Sequence, residues 1–246
     1  MESSTRIGRL VLALSLTEFG IEYLFNATGK IPAPGAPWPS LPMFWAFFAA
    51  IVLLLCPVTV ATIQRPKVSS GFLGLLLFLY SAVQFGPLLL NNPHDPGAWT
   101  SAFEIFSIAG PLLALAGAAA GSNPLRRFGD CVFAFALVVF AVQHFLYAGV
   151  VASLIPAWIP VRMPLAWFTG AAMIAAALAI ASGVQARLAA RLTGLMFVIW
   201  FLILHLPRVF KTPRNENEWT SAFVALAVGG GALVLAELRI AKATPA

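Results

Sequence analysis

The sequence predicts an all-α polytopic membrane protein: eight transmembrane helices, arranged as two parallel four-helix repeats, with both termini in the cytoplasm. Three observations carry this. First, about 60% of the 246 residues are hydrophobic and only 10% are charged, with a mean hydropathy of +0.89; soluble domains carry roughly 25% charged residues. Second, apolar stretches close to the ~20 residues needed to cross ~30 Å of hydrocarbon recur along the chain. Third, a five-residue segment repeats at long range. The composition also excludes a disordered chain, a collagen-like repeat and, with two cysteines, a disulfide scaffold.

The elements follow in order. The first run, 8–28, comes after Arg6 and Arg9 as a signal peptide would. No small-residue cleavage site is evident, and Glu18 and Glu22 interrupt the run, so a retained first helix is expected. The second, 41–63, is set off by Pro32, Pro34, Pro37 and Pro39; the third, 71–90, by Arg65-Pro66-Lys67; the fourth, 99–120, by Asn91-Asn92-Pro93. Ser122-Asn123-Pro124 precedes the fifth, 130–150, and Pro156 and Pro160 precede the sixth, 163–183. The seventh, 189–209, and the eighth, 219–239, are separated by Pro207 and Pro213. No connection has room for a separate soluble domain.

Charge gives the orientation. Arg6, Arg9, Arg65, Lys67, Arg126, Arg127, Arg187, Arg191, Arg239 and Lys242 fall at the termini and even-numbered loops, ten in all. Lys30, Arg162, Arg208, Lys211 and Arg214, five in all, fall on the other side. Basic residues mark the cytoplasmic side, so both termini are expected there. The net charge of +6 is then topological, and no nucleic-acid partner is expected.

Trp99-Thr100-Ser101-Ala102-Phe103 recurs 120 residues on as Trp219-Thr220-Ser221-Ala222-Phe223. At the same interval Gly74 matches Gly194, Pro87 matches Pro207, Pro93 matches Pro213, and Gly110 matches Gly230. Near an interval of 122, Pro34 matches Pro156, Pro42 matches Pro164, and Trp45 matches Trp167. Two units are expected, 1–121 and 122–246. An even number of helices per unit makes the repeat parallel, about an axis along the membrane normal. The Trp-Thr-Ser starts suit interface anchoring and helix capping, and the small-residue runs suit close helix approach.

Ionisable groups inside spans are costly and point to function. Glu22, Glu104, His144 and His205 fall roughly 3–10 Å below the outer boundary at 1.5 Å per residue. They are the candidate proton-exchanging groups. Glu18, Asn26, Tyr80, Gln84, Gln143, Tyr147 and Arg208 fall in the same outer half or at its rim and are candidate ligand-binding residues. At the 122 interval His144 takes the place of Glu22, so the polar residues differ between halves and one asymmetric site is expected. Structural roles stand beside these readings: a carboxylic acid bonded to a helix carbonyl, a histidine reaching the interface, a solvated rim. No helix carries two metal-ligand residues at i, i+3 or i, i+4 in a known metal motif, so no metal is expected. Cys56 and Cys131 read as inert thiols.

Gln143-His144-Phe145, Ile155-Pro156-Ala157-Trp158-Ile159-Pro160 and Trp167-Phe168-Thr169-Gly170 resemble the DoxX/DoxD-type membrane proteins. Leu204-His205-Leu206-Pro207-Arg208 and Asn217-Glu218-Trp219-Thr220-Ser221 extend the resemblance, which covers the second half directly and the first through the repeat. It implies a bacterial inner-membrane protein linked to quinone-dependent sulfur oxidation or to oxidative-stress complexes; the double length departs from the family pattern. The leading expectation is a redox-linked component with a quinone-type pocket near the outer face, embedded in the lipid bilayer. A non-enzymatic subunit anchoring other membrane or periplasmic subunits is the alternative, and a small-solute transporter the third. Transporters usually show helices broken at the midplane; here only Pro57, Gly86-Pro87 and Gly110-Pro111 interrupt spans, and Glu18 is the one deep charge, which places transport behind the other two.

Overall fold

A computed structural model describes residues 6–31 and 34–239; Pro32 and Lys242 lie outside them. The described residues are helical, without strands, and eight helices are long and apolar enough to cross a membrane. They are α1 (Ile7–Ala27), α2 (Met43–Thr62), α3 (Lys67–Asn91), α4 (Pro96–Ala120), α5 (Asn123–Leu146), α6 (Arg162–Ser182), α7 (Ala186–Lys211) and α8 (Glu216–Glu237). A short helix, Ala148–Leu154, links α5 to α6.

Several helices start before their apolar run because polar caps start them. Asp95 accepts from the amides of Gly97 and Ala98 ahead of α4, and Asn215 accepts from that of Asn217 ahead of α8. Ser122 caps α5 with a proline in the first turn, so this helix begins seven residues ahead of its expected span and ends at Leu146. The Thr and Ser of the repeated Trp-Thr-Ser are therefore not the caps. Each tryptophan instead folds back over the start of its helix: Trp99 Nε1 donates to the Pro93 carbonyl at 2.9 Å, and Trp219 Nε1 to the Pro213 carbonyl at 3.0 Å. Trp99 stacks on Phe103 and Trp219 on Phe223, each one turn on.

α4 and α8 are the most buried spans and touch one another. α4 packs on α3 and α5, α8 on α7 and α1, α1 on α2, and α5 on α6. Glycine makes the central contacts possible. A Cβ on Gly230 of α8 would sit 2.5 Å from the Leu12 amide of α1, and one on Gly110 of α4 would sit 2.9 Å from the Phe133 amide of α5. Gly8 meets Val234 in the same way, and Gly129 meets Ala114. Backbones in contact without side chains between them give the close packing that substitutes, between apolar helices, for a hydrophobic drive.

One end of the bundle is tied by charge. Asp130 of α5, 5% exposed, pairs with Arg239 at 3.1 Å and Arg126 at 3.4 Å. Glu237 at the end of α8 accepts from the Gly8 amide at 2.7 Å, and Arg9 donates to the Ile63 and Gln64 carbonyls at the end of α2. Glu237 thus caps the start of α1 and Arg9 the end of α2, while Asp130 pairs with the two arginines beside it. Substituting Gly230 by Val is expected to cost about 3 kcal/mol or more, by overpacking at a backbone contact. Gly86→Ala, where an added Cβ meets nothing within 4 Å, leaves stability unchanged or slightly higher. Denaturant unfolding in detergent measures both.

Candidate functional site

A cavity of about 570 Å³ opens between α4, α5, α6, α7 and α8. Its position follows from helical spacing. Phe140 and His144 stand one turn apart on one face of α5, Tyr147 follows its last residue, and Thr100 and Glu104 stand one turn apart on α4. α6 contributes Thr169 and Met173, α7 contributes Phe197, Trp200 and His205, and α8 contributes Val224 and Val228. The connection after the short helix lines the mouth with Ile155, Pro156 and Ile159. Most of the wall is apolar, and the ionisable groups on the helices come from three of them, α4, α5 and α7.

Their bonding differs. Gln143 Nε2 donates to Thr100 Oγ1 at 2.9 Å and to the Pro96 carbonyl at 3.0 Å, tying α5 to the first turn of α4. His144 Nδ1 lies 2.8 Å from the Phe140 carbonyl. A carbonyl can only accept, so Nδ1 carries the proton and Nε2 is left for another partner. The His144 ring stacks on Trp200 at 5.9 Å and 13°. Gly170 of α6 lies under it, where an added Cβ would be 3.0 Å from His144 Cβ.

Glu104 uses only its backbone carbonyl, which accepts from Ser107; its carboxyl group makes no hydrogen bond among the described residues. His205 ends a π-helical turn, Phe201–His205, in which the Leu206 amide reaches back to the Phe201 carbonyl. Pro207 alone does not cause this turn, since Pro87 sits inside an unbroken α3. π turns of this kind concentrate at functional sites. His205 Nδ1 is buried without a partner. At the rim Arg208 pairs with Glu218 at 2.8 Å.

The cavity therefore gathers Glu104, His144, His205, Gln143, Tyr147 and Arg208. The other five expected residues lie elsewhere. Glu22 is 9% exposed, and an oxygen of its carboxyl group, like one of Glu18, is buried without a partner. Asn26 donates to the Ile31 carbonyl, and Tyr80 to that of Pro37. Gln84 is exposed on α3. The rise along a helix fixes depth but not direction, so residues of one layer need not face one space. Phe140, Thr100 and Trp200 also line the wall; none is ionisable, so charge in a span does not mark them, and only Phe140 is signalled by sequence, as the i−4 neighbour of His144.

No family model matches the chain, and no curated protein or solved structure matches it either. Among the described residues no three His, Cys, Asp or Glu come together as metal ligands, and both cysteines are free.

Groups that the protein leaves unpartnered contribute little to its stability, and the paired ones contribute much. Glu104→Gln and His205→Phe are each expected to unfold within about 1 kcal/mol of the parent, or to be more stable. Asp130→Asn, which strands Arg239 and Arg126, is expected to lose about 3 kcal/mol. Thermal unfolding in detergent reads the contrast; equal losses at all three positions would contradict it.

Proposed function

We propose that this chain is a multi-pass inner-membrane protein of DoxX/DoxD type, N-in and C-in, that holds a flat lipophilic ring of quinone type in the outer-half cavity. The observation that carries the reading is an apolar cavity in which His144, stacked on Trp200, keeps Nε2 free and Glu104 keeps its carboxyl free. Its volume lies within the ~300–1,000 Å³ of small-molecule sites.

The donor set suits such a group. Phe140 and Trp200 offer flat apolar faces, and His144 Nε2 offers one proton-exchanging atom at the ring's edge. Glu104 and His205 offer two more groups for carrying a proton toward Arg208 and Tyr147 at the mouth. A bound quinone supplies two-electron chemistry, the electrons being exchanged with a partner membrane or periplasmic redox subunit. The chain's own residues bind and orient the ring, exclude water from one side of it, and hold or release protons.

The chain is also best read as a tandem duplication divided near 121, and the packing supports that. The Gly8–Val234 contact corresponds to Gly129–Ala114, Gly230–Leu12 to Gly110–Phe133, and Gly194–Leu233 to Gly74–Leu113. The caps Asp95 and Asn215, and the two tryptophan–carbonyl bonds, also stand 120 residues apart. These contacts register α1 on α5 at an interval of 121, not 122. His144 then corresponds to Tyr23, and Gln143 to Glu22.

Two measurements test the proposal. In a Cys56→Ala, Cys131→Ala background, Ala157→Cys is labelled by an impermeant maleimide from the outer side, and Val184→Cys is not; the reverse would overturn the orientation. His144→Ala weakens binding of 2-methyl-1,4-naphthoquinone to the purified protein at least tenfold; unchanged affinity would overturn the site.

A further inference from the structure

The two halves treat the same space differently. In the first half, the segment 35–39 of the α1–α2 connection is drawn into the bundle. The Gly35 amide donates to Thr220 Oγ1 of α8 at 2.8 Å, and Gly35 lies so close to Asn217 that no side chain fits there. Trp38, 7% exposed, packs on Phe19 of α1 at 4.4 Å between ring centroids. Two carbonyls flank that ring in sequence: Pro37 accepts from the Tyr80 hydroxyl at 2.8 Å, and Pro39 from the Tyr23 hydroxyl at 2.7 Å.

Each of the four side chains that seat this segment has a counterpart in the other half. Thr220 and Tyr80, moved by 120 residues, correspond to Thr100 and Trp200; Phe19 and Tyr23, moved by 121, correspond to Phe140 and His144. All four counterparts line the 570 Å³ cavity, as does Gly97, the counterpart of Asn217. The matching connection of the second half does not enter. Ile155, Pro156 and Ile159 stay at the mouth, Trp158 is 72% exposed, and Pro160 stands where Trp38 would be at the 122 interval. Thr100, which has no loop amide to bind, is taken by Gln143 instead.

We propose that the segment Gly35–Pro39 is a built-in occupant of one of two equivalent sites, leaving a single open cavity, and that this cavity takes a ligand shaped like its occupant. That ligand is a flat, indole-sized ring seated on Phe140, with oxygens on two edges facing the His144 and Trp200 positions; with Nδ1 held by the Phe140 carbonyl, His144 Nε2 accepts from the ring oxygen when that oxygen is a hydroxyl, and donates to it as a carbonyl only when the imidazole is protonated. The inference rests on the duplication and on the cavity being a ligand site, and it narrows the ligand to a bicyclic ring with two carbonyl-type oxygens. It also explains the asymmetry of the polar residues. In the filled site tyrosine hydroxyls donate permanently to backbone carbonyls; in the open one, exchangeable groups meet a molecule that comes and goes.

The test is a calorimetric titration of the full-length protein in detergent. The probes are 2-methyl-1,4-naphthoquinone, a bicyclic ring with two carbonyls, and farnesol, an acyclic lipophile. The expected result is one naphthoquinone per chain, at least tenfold weaker binding of farnesol, and two naphthoquinones per chain in Trp38→Gly. A folded Trp38→Gly that still binds one overturns the occupant and leaves the proposed function standing. Equal binding of farnesol overturns the ring class. A parent protein that binds neither probe overturns the function itself. Trp38→Leu keeps an apolar side chain in the seat and covers the case in which the glycine variant does not fold. It too gains a second, weaker site, and a single site in folded Trp38→Leu overturns the proposal.

Discussion

Backbone contact between helices is the constraint on which the rest of this structure depends. α4 and α8 lie against each other and against α5 and α1, with Gly110, Gly129, Gly230 and Gly8 where the chains cross. Nothing larger fits at these crossings. Because lipid tails are as apolar as leucine, an apolar helix gains little by leaving lipid for another helix unless the two backbones can close together. Once the centre is fixed, α2, α3, α6 and α7 take the outer positions. Their larger side chains, among them Trp45, Phe168 and Leu195, face outward.

The polar groups gather at the two ends of this frame. At one end Asp130, Glu237 and Arg9 each hold a partner: an ion pair, a helix-start amide, a helix-end carbonyl. Burial there is matched in part: one oxygen of Asp130 and one of Glu237 are buried without a partner. In the cavity at the other end, Glu104 and His205 are not matched by protein groups, and His144 spends one nitrogen on its own helix. Unmatched polar atoms in a low-dielectric setting cost stability. Glu104, His144 and His205 around one apolar space are what the proposed ligand would complete.

Much of the fold was legible in the sequence, because eight apolar runs and their breakers depend on composition alone. The helix starts were less so: a cap such as Asp95, Ser122 or Asn215 extends a helix beyond its apolar stretch. The site was legible in part. Glu104, His144 and His205 stood out as costly groups in spans, and the cavity gathers all three. Glu22 shared their depth but does not line the cavity, because depth says nothing of rotation about the helix axis. The role of Trp38 was not legible at all. A tryptophan in a proline-rich loop reads as an interface anchor, and only long-range contacts with Phe19 and Thr220 draw its segment inward.

The central claim is that the molecule holds one filled and one open version of the same site. An experimental density map of the protein prepared with 2-methyl-1,4-naphthoquinone tests it most directly. The account predicts ring-shaped density on Phe140 beside the stacked His144 and Trp200, with Trp38 still seated on Phe19. Ring density displacing Trp38 in the first half, or Trp158 folded into the second-half cavity, would contradict it.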